Sequence, residues 1–132
     1  MRRRRRKRRC GNIIVRYYGV EINAITLGVN QMERSVHFYG QVLGLPVVFG
    51  GADEPFTSLE LGSNFVNLFI HEGPIEFWGR VIMHVPDPDA IHTTLVAAGF
   101  QPEAEPKDAP WGERYFHIKD PDGHELSFAR PL

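Results

Sequence analysis

Trp111-Gly-Glu-Arg-Tyr-Phe-His-Ile-Lys-Asp-Pro-Asp-Gly-His-Glu-Leu-Ser-Phe128 holds two β-like runs on either side of Asp120-Pro121-Asp122-Gly123. Pro121 presets φ at the second position of a type I turn, and Gly123 can take the left-handed conformation that closes a hairpin. Strand alternation puts Tyr115 and His117 on one face of the first strand, with Phe116 and Ile118 on the other. In the second strand Glu125 and Ser127 oppose Leu126 and Phe128. One face of the hairpin is apolar and the other carries chemistry.

Upstream, the pattern runs through the same order twice. Ile22 to Val29 alternates as a strand, with Ala24, Thr26 and Gly28 opposite Ile25, Leu27 and Val29. Asn30 is placed to cap a helix with Glu33 in capping-box position, Met32, Val36, Tyr39, Val42 and Leu43 form its apolar stripe, and Gly44 ends it. Three short β runs follow, 45–49, 56–61 and 64–70. After a connector at 71–78, residues 80–85 read as a strand. Asp87-Pro88 opens a second helix lined by Ile91, Leu95 and Ala98 and stopped by Gly99. Residues 101–104 form a weak edge strand beside Pro102 and Pro106, 105–110 form a loop, and the hairpin closes the chain. The expectation is an α+β fold of two tandem β-α-β-β-β modules, 22–70 and 79–132. They make a curved, mixed sheet that encloses a cavity, with the helices outside.

Charge divides the chain of 132 residues. Residues 2 to 9 are all Arg or Lys, and the seven remaining cations face all 16 carboxylates, so a net charge of −1 hides a body at −9. Residues 1–21 read as a basic arm and lead-in, unstructured in isolation. Such an arm can neutralise nucleic-acid or lipid phosphates, but it is better explained by an upstream start or an added extension, and the acidic body offers nucleic acid no groove. No apolar run approaches the ~20 residues of a membrane span. Cys10, the single cysteine, allows no internal disulfide and points to a reducing, cytoplasmic setting.

Ile-Thr-Leu-Gly-Val at 25–29, Glu-Arg-Ser-Val-His-Phe-Tyr at 33–39, Val-Leu-Gly-Leu at 42–45, Ala-Ala-Gly-Phe at 97–100 and Asp-Pro-Asp-Gly-His-Glu-Leu at 120–126, in this order, resemble the vicinal-oxygen-chelate superfamily. That group includes glyoxalase I, extradiol dioxygenases, fosfomycin-resistance enzymes and bleomycin-resistance proteins. The resemblance implies a metal site built from a His or Gln early in each module and a Glu late in each. Those four positions fall here on Ala24, Asn67, Arg80 and Ser127. Alanine donates nothing, an amide or hydroxyl oxygen alone is a weak ligand, and a guanidinium brings a positive charge. The chain is therefore closest in pattern to the metal-free branch typified by bleomycin-resistance proteins, with no cofactor expected. Ala-Pro-Trp-Gly-Glu-Arg at 109–114 is similar to the Trp-Gly-Arg segment of that branch.

The expected work is metal-independent binding of an antibiotic-like molecule or an aromatic or anionic metabolite, and the resemblance implies a homodimer whose chains combine to build the cavity. Arg80 either grips an anionic group of the ligand or pairs with an internal acid such as Glu125 or Glu60. Asn67, Ser127 and His84 would line the pocket, and Phe65, Phe69 and Trp111 would supply stacking surfaces. Tyr115 and His117 would line it too, and with Glu125 they are the candidates for catalysis should the chain be a glyoxalase-like lyase or isomerase, or another acid–base enzyme. Trp78, at the module junction, reads as packing.

Overall fold

The computed structural model describes Gly19 and residues 21–132. The basic arm and Cys10 lie outside the described residues. Strands β1 (Ala24–Val29), β2 (Val47–Phe49), β3 (Phe56–Leu61) and β4 (Asn64–Ile70) form one four-stranded sheet, in the order β1-β4-β3-β2. Strands β5 (Arg80–His84), β6 (Lys107–Ala109), β7 (Glu113–Lys119) and β8 (Glu125–Pro131) form a second, in the order β5-β8-β7-β6. In each sheet the first and last strands of the module pair in parallel and the others antiparallel. The duplication read from the sequence is thus repeated in topology.

Helix α1 (Met32–Val36) packs on β3 and β4, and α2 (Pro88–Ala97) packs on β7 and β8. The alternating apolar positions Leu27, Val66, Leu68, Val81, Met83 and Leu126 point beneath the helices into one shared core. Phe38 ties the halves together: its ring meets Tyr39 edge-on at 4.9 Å and Phe100 at 5.0 Å. Asp87 caps α2 as expected, accepting from the backbone N–H groups of Asp89 and Ala90. On the exposed side, the Arg114 guanidinium grips both oxygens of Asp89, at 2.7 and 2.9 Å, and also reaches Asp108, which pins the start of α2 to the outer hairpin.

Several local expectations are corrected. Asn30 does not cap α1. The residue before the helix is Gln31, which makes no side-chain capping bond, while the Asn30 amide donates to the carbonyls of His71 and Gly73 at 2.8 and 3.0 Å. A tertiary partner has replaced the local one, and the Asn30 N–H is taken by Asp122 from the other module. The first helix also does not run uniformly to Gly44: residues His37–Val42 widen into a π-type turn, marked by Leu43 N–H donating to Phe38 O.

The weak strand expected at 101–104 is absent. Only Glu103 bonds to β7, through the His117 carbonyl, and the pairing passes to Lys107–Ala109, within the stretch read as a loop. Pro102 and Pro106 lack the N–H a ladder needs, so the proline-free residues beyond them supply β6. Trp111 and Gly112 lie in the turn before β7 rather than in the strand, with Gly112 N–H donating to Ala109 O. Strands expected from Ile22 and Leu45, and through Val85, begin at Ala24 and Val47 and end at His84. Among the described residues no helix is long and apolar enough to cross a membrane.

The modules are joined by the hairpin turn. Gly123 N–H donates to Asp120 O, closing the turn with Gly123 at φ 95°. The Asp120 carboxylate is buried. Its Oδ1 accepts from the backbone N–H groups of Asp122 and His124, and its Oδ2 accepts from the Tyr39 hydroxyl at 2.5 Å. Asp122 accepts from Asn30 N–H, Arg34 and Ser35, so it serves the start of α1 from the opposite module.

Burial lifts the Asp120 carboxyl above its ordinary 3.8, while the Tyr39 hydrogen bond works to lower it. The folded chain therefore holds this proton more tightly than the unfolded chain does. That advantage is complete below the ordinary value and is lost as pH rises through the raised one. Tyr39→Phe should cost about 1–3 kcal/mol at pH 7, because it leaves a buried carboxylate short of a donor. The cost should shrink at pH 4, where less of Asp120 is charged. Chemical denaturation at both pH values checks this.

Candidate functional site

The dressed face foreseen on the second sheet is present, and its register orders the side chains in rows. Arg80, Glu125 and Lys119 lie across one row, Ile82, Ser127 and His117 across the next, and His84, Ala129, Tyr115 and Lys107 across a third. Ser127 and Ala129, on the middle strand, are small and covered by their neighbours.

Along β7 and the turn before it, Trp111, Tyr115 and His117 form an aromatic ladder. Trp111 and Tyr115 centroids are 5.6 Å apart at a 35° tilt, and Tyr115 and His117 centroids are 5.0 Å apart. Trp111 is 68% exposed, its indole N–H donating to Glu113 at 2.9 Å. Lys107 Nζ sits 5.9 Å from the Tyr115 ring centroid, a cation–π contact that the sequence reading did not include because 105–110 read as loop.

His117 is held below the ordinary imidazole value of 6.5, first by burial and then by the positive charge of Arg80. It is therefore neutral at pH 7. Its Nδ1 is buried and has no hydrogen-bond partner among the described residues. Arg80 donates to Glu125 at 2.5 Å, so the internal pairing is the one the free chain displays. His84 Nε2 lies 3.9 Å from Glu113.

The remaining residues singled out sit on the first sheet. Asn67, between Thr26 and Ser58 in register, donates to the Thr26 hydroxyl at 3.3 Å. Phe65 and Phe69 share its face, with Phe69 39% exposed. Asn67, Phe65 and Phe69 thus stand on one sheet, and Arg80, His84, Tyr115, His117 and Ser127 on the other.

The residues at the metal positions of the family do not fit a divalent ion. Ala24 has no donor atom, Asn67 offers only an amide oxygen, Ser127 is buried, and Arg80 brings a guanidinium that pairs with the Glu125 carboxylate. Among the described residues no group of three or more His, Cys, Asp or Glu side chains is placed to hold a metal.

A different cleft, of about 730 Å³, opens beside β1. Its walls include Phe69, His71, Ile75, Trp78 and His124. Trp78 is not simply packed: it is 49% exposed and its indole N–H donates to His124 Nδ1 at 2.8 Å. Nothing local in the sequence signals this contact, which joins residues 46 apart.

Comparison with known proteins agrees with this architecture. The family model of the Glyoxalase/Bleomycin resistance protein/Dioxygenase superfamily matches residues 21–128, and the chain belongs to that superfamily. The YraH protein of Bacillus subtilis (strain 168) is 26% identical over 123 residues, spanning 82% of this chain and 96% of YraH. Among solved structures, lactoylglutathione lyase from Agrobacterium tumefaciens superposes with a TM-score of 0.69 at 19% identity, over 83% of this chain and 92% of its own. TioX from Micromonospora sp. ML1 gives 0.69 at 24% identity, over 86% and 100%. At these identities the structural likeness speaks for the fold alone.

The Arg80–Glu125 pair is partly exposed on both sides, with side-chain exposures of 36% and 21%. Arg80→Ala should therefore change stability by no more than about 1 kcal/mol. Urea denaturation at low and high salt checks this, with the smaller difference expected at high salt.

Proposed function

We propose that the chain is a metal-independent binding protein for a planar aromatic small molecule, which stacks on the Trp111–Tyr115–His117 ladder of the second sheet. The ladder itself carries the proposal: an aromatic run that ends in a 68% exposed tryptophan gains little from the core and offers a flat partner a ready surface. Sequestration requires only buried area and a few placed polar groups. Lys107, beside the ladder, is a cation placed to meet an anionic substituent, and Arg80 joins it only where the ligand displaces Glu125. The donor set at the family's metal positions supports independence from metal, and protein purified without chelator should carry only substoichiometric nickel, zinc, iron or manganese.

The reading extends to a homodimer in the cytoplasm. Val48, Phe49, Phe56 and Ile82 are exposed apolar side chains on the two sheets, and a second copy covering them would enclose the ladder. Sedimentation velocity would reveal a dimer mass.

A second reading, acid–base catalysis of glyoxalase type, draws on His117, a neutral imidazole at pH 7 beside Tyr115. Turnover of a hemithioacetal that disappears in His117→Ala would favour it.

Trp111→Ala should weaken binding of planar aromatics about tenfold, the loss of one good stacking contact of about 1 kcal/mol and its buried area. Titration calorimetry against an aromatic panel checks this, and unchanged affinity overturns the ladder as the site. Affinity for a ligand that uses the neutral imidazole should hold from pH 8 down to the ordinary histidine range. It should fall only at more acidic pH, because the His117 value is lowered.

A further inference from the structure

Strand β1 is the outer strand of its sheet and pairs only with β4. Phe65 N–H donates to Asn23 O and His71 N–H to Val29 O, so the odd-numbered backbone groups of β1 turn toward β4 and the even-numbered ones turn outward. Gly28 follows this rule, its carbonyl accepting from His124 Nε2 at 2.7 Å on the outer side. The 730 Å³ cleft runs along that edge, and four consecutive residues, Ile25, Thr26, Leu27 and Gly28, line it. A pocket opening on a sheet face meets alternate residues, so consecutive ones mean that the strand is approached edge-on. The N–H and C=O of Thr26 therefore project together into the cleft.

The facing wall is held at both ends. Asn30 grips the carbonyls of His71 and Gly73, and His124 accepts the Trp78 indole N–H on Nδ1, which leaves Nε2 to donate to Gly28 O. His124 is only 4% exposed, so both its tautomer and the indole's orientation are fixed. His71 lies close over β1 because residue 28 is glycine: a Cβ there would sit 3.0 Å from His71 Cβ. Among the lining residues Glu76 is the one acid, and there is no Lys or Arg.

We propose that this cleft is a second small-molecule site, separate from the ladder. Its ligand is a flat, uncharged heterocycle with a cyclic-amide edge of lactam or purine type, whose N–H and C=O pair with the C=O and N–H of Thr26 while its ring lies between Trp78 and the Phe69–His71 side. An aromatic contact to each wall accounts for the flatness, the paired backbone groups require an adjacent donor and acceptor, and the lone Glu76 disfavours anions. The ladder plays no part in this binding.

The test uses the full chain with Trp111→Phe, which leaves Trp78 as the single tryptophan, since the sequence has two. The probe is quinazolin-4-one, with its 3-methyl derivative, lacking the N–H, as control. The expected result is a saturable change in Trp78 emission for the lactam and at least tenfold weaker binding of the methylated form. Thr26→Pro should also bind the lactam at least tenfold more weakly, because it removes an N–H that the β1–β4 ladder does not use, whereas Thr26→Val should bind as the parent does. Should Thr26→Pro fail to fold by circular dichroism, the comparison of the two probes on the parent protein decides. No saturable change, equal affinity for both probes, or an emission change that follows protein concentration without any lactam overturns the proposal. The last of these would assign the edge to a second copy of the chain.

Discussion

The Asp120–Tyr39 contact is the point at which the two modules become one molecule. A carboxylate taken out of water is costly unless donors surround it, and here two backbone N–H groups and a phenol do so. Geometry makes the arrangement mutual. The backbone donors fix the shape of the turn, and the phenol, itself buried and with its ionisation suppressed first by burial and then by Asp120, fixes where the turn sits against the first helix. The next two polar side chains of the turn extend the same logic. Asp122 holds the residue ahead of α1 and two of the helix's side chains, and His124 reaches the end of β1 and the connector through Trp78. A five-residue turn thus positions a helix start, a strand edge and a linker at once.

This dependence explains what was legible in the sequence. Alternation and glycine placement act within a few residues, so the sequence carried the β-α-β-β-β order, its repetition, the Asp87 cap and the parity of every face: Arg80 with Ile82 and His84, Tyr115 with His117, Asn67 with Phe65 and Phe69. The misreadings arose where a distant partner overruled a local rule. Asn30 has the composition of a cap, yet its amide is used by carbonyls 41 and 43 residues away. Trp78 read as packing, and its bond to His124 is invisible to any local pattern. The shift of the outer strand from 101–104 to Lys107–Ala109 is a different failure: the prolines that marked the first stretch as weak were sufficient to exclude it.

The same division runs through the candidate site. Which side chains share a face follows from parity and was available from the start, whereas their state does not. Whether Arg80 is free or paired depends on its register with Glu125, and parallel pairing of β5 with β8 sets them directly opposite. That pairing has an electrostatic consequence. With Arg80 neutralised by Glu125, the second-sheet face presents Lys107 over an aromatic ring and the exposed Lys119 rather than a bare guanidinium, and its attraction for anions is correspondingly smaller. Aromatic surface, more than charge, is what this face has to offer.

Flat aromatic surface recurs at the cleft, where Phe69 and Trp78 border the open edge of β1. The two regions differ in what accompanies it. The ladder lies on a sheet face, where backbone groups are consumed by neighbouring strands and only side chains can speak to a ligand. The cleft lies on a sheet edge, where unpaired backbone groups supply directional bonds and side chains supply only walls. A face can exchange its specificity by single substitutions, while an edge keeps the same donor and acceptor whatever residue other than proline stands there. If both regions bind, the ladder is the part of this scaffold free to diverge, and the cleft is the part whose recognition the backbone fixes.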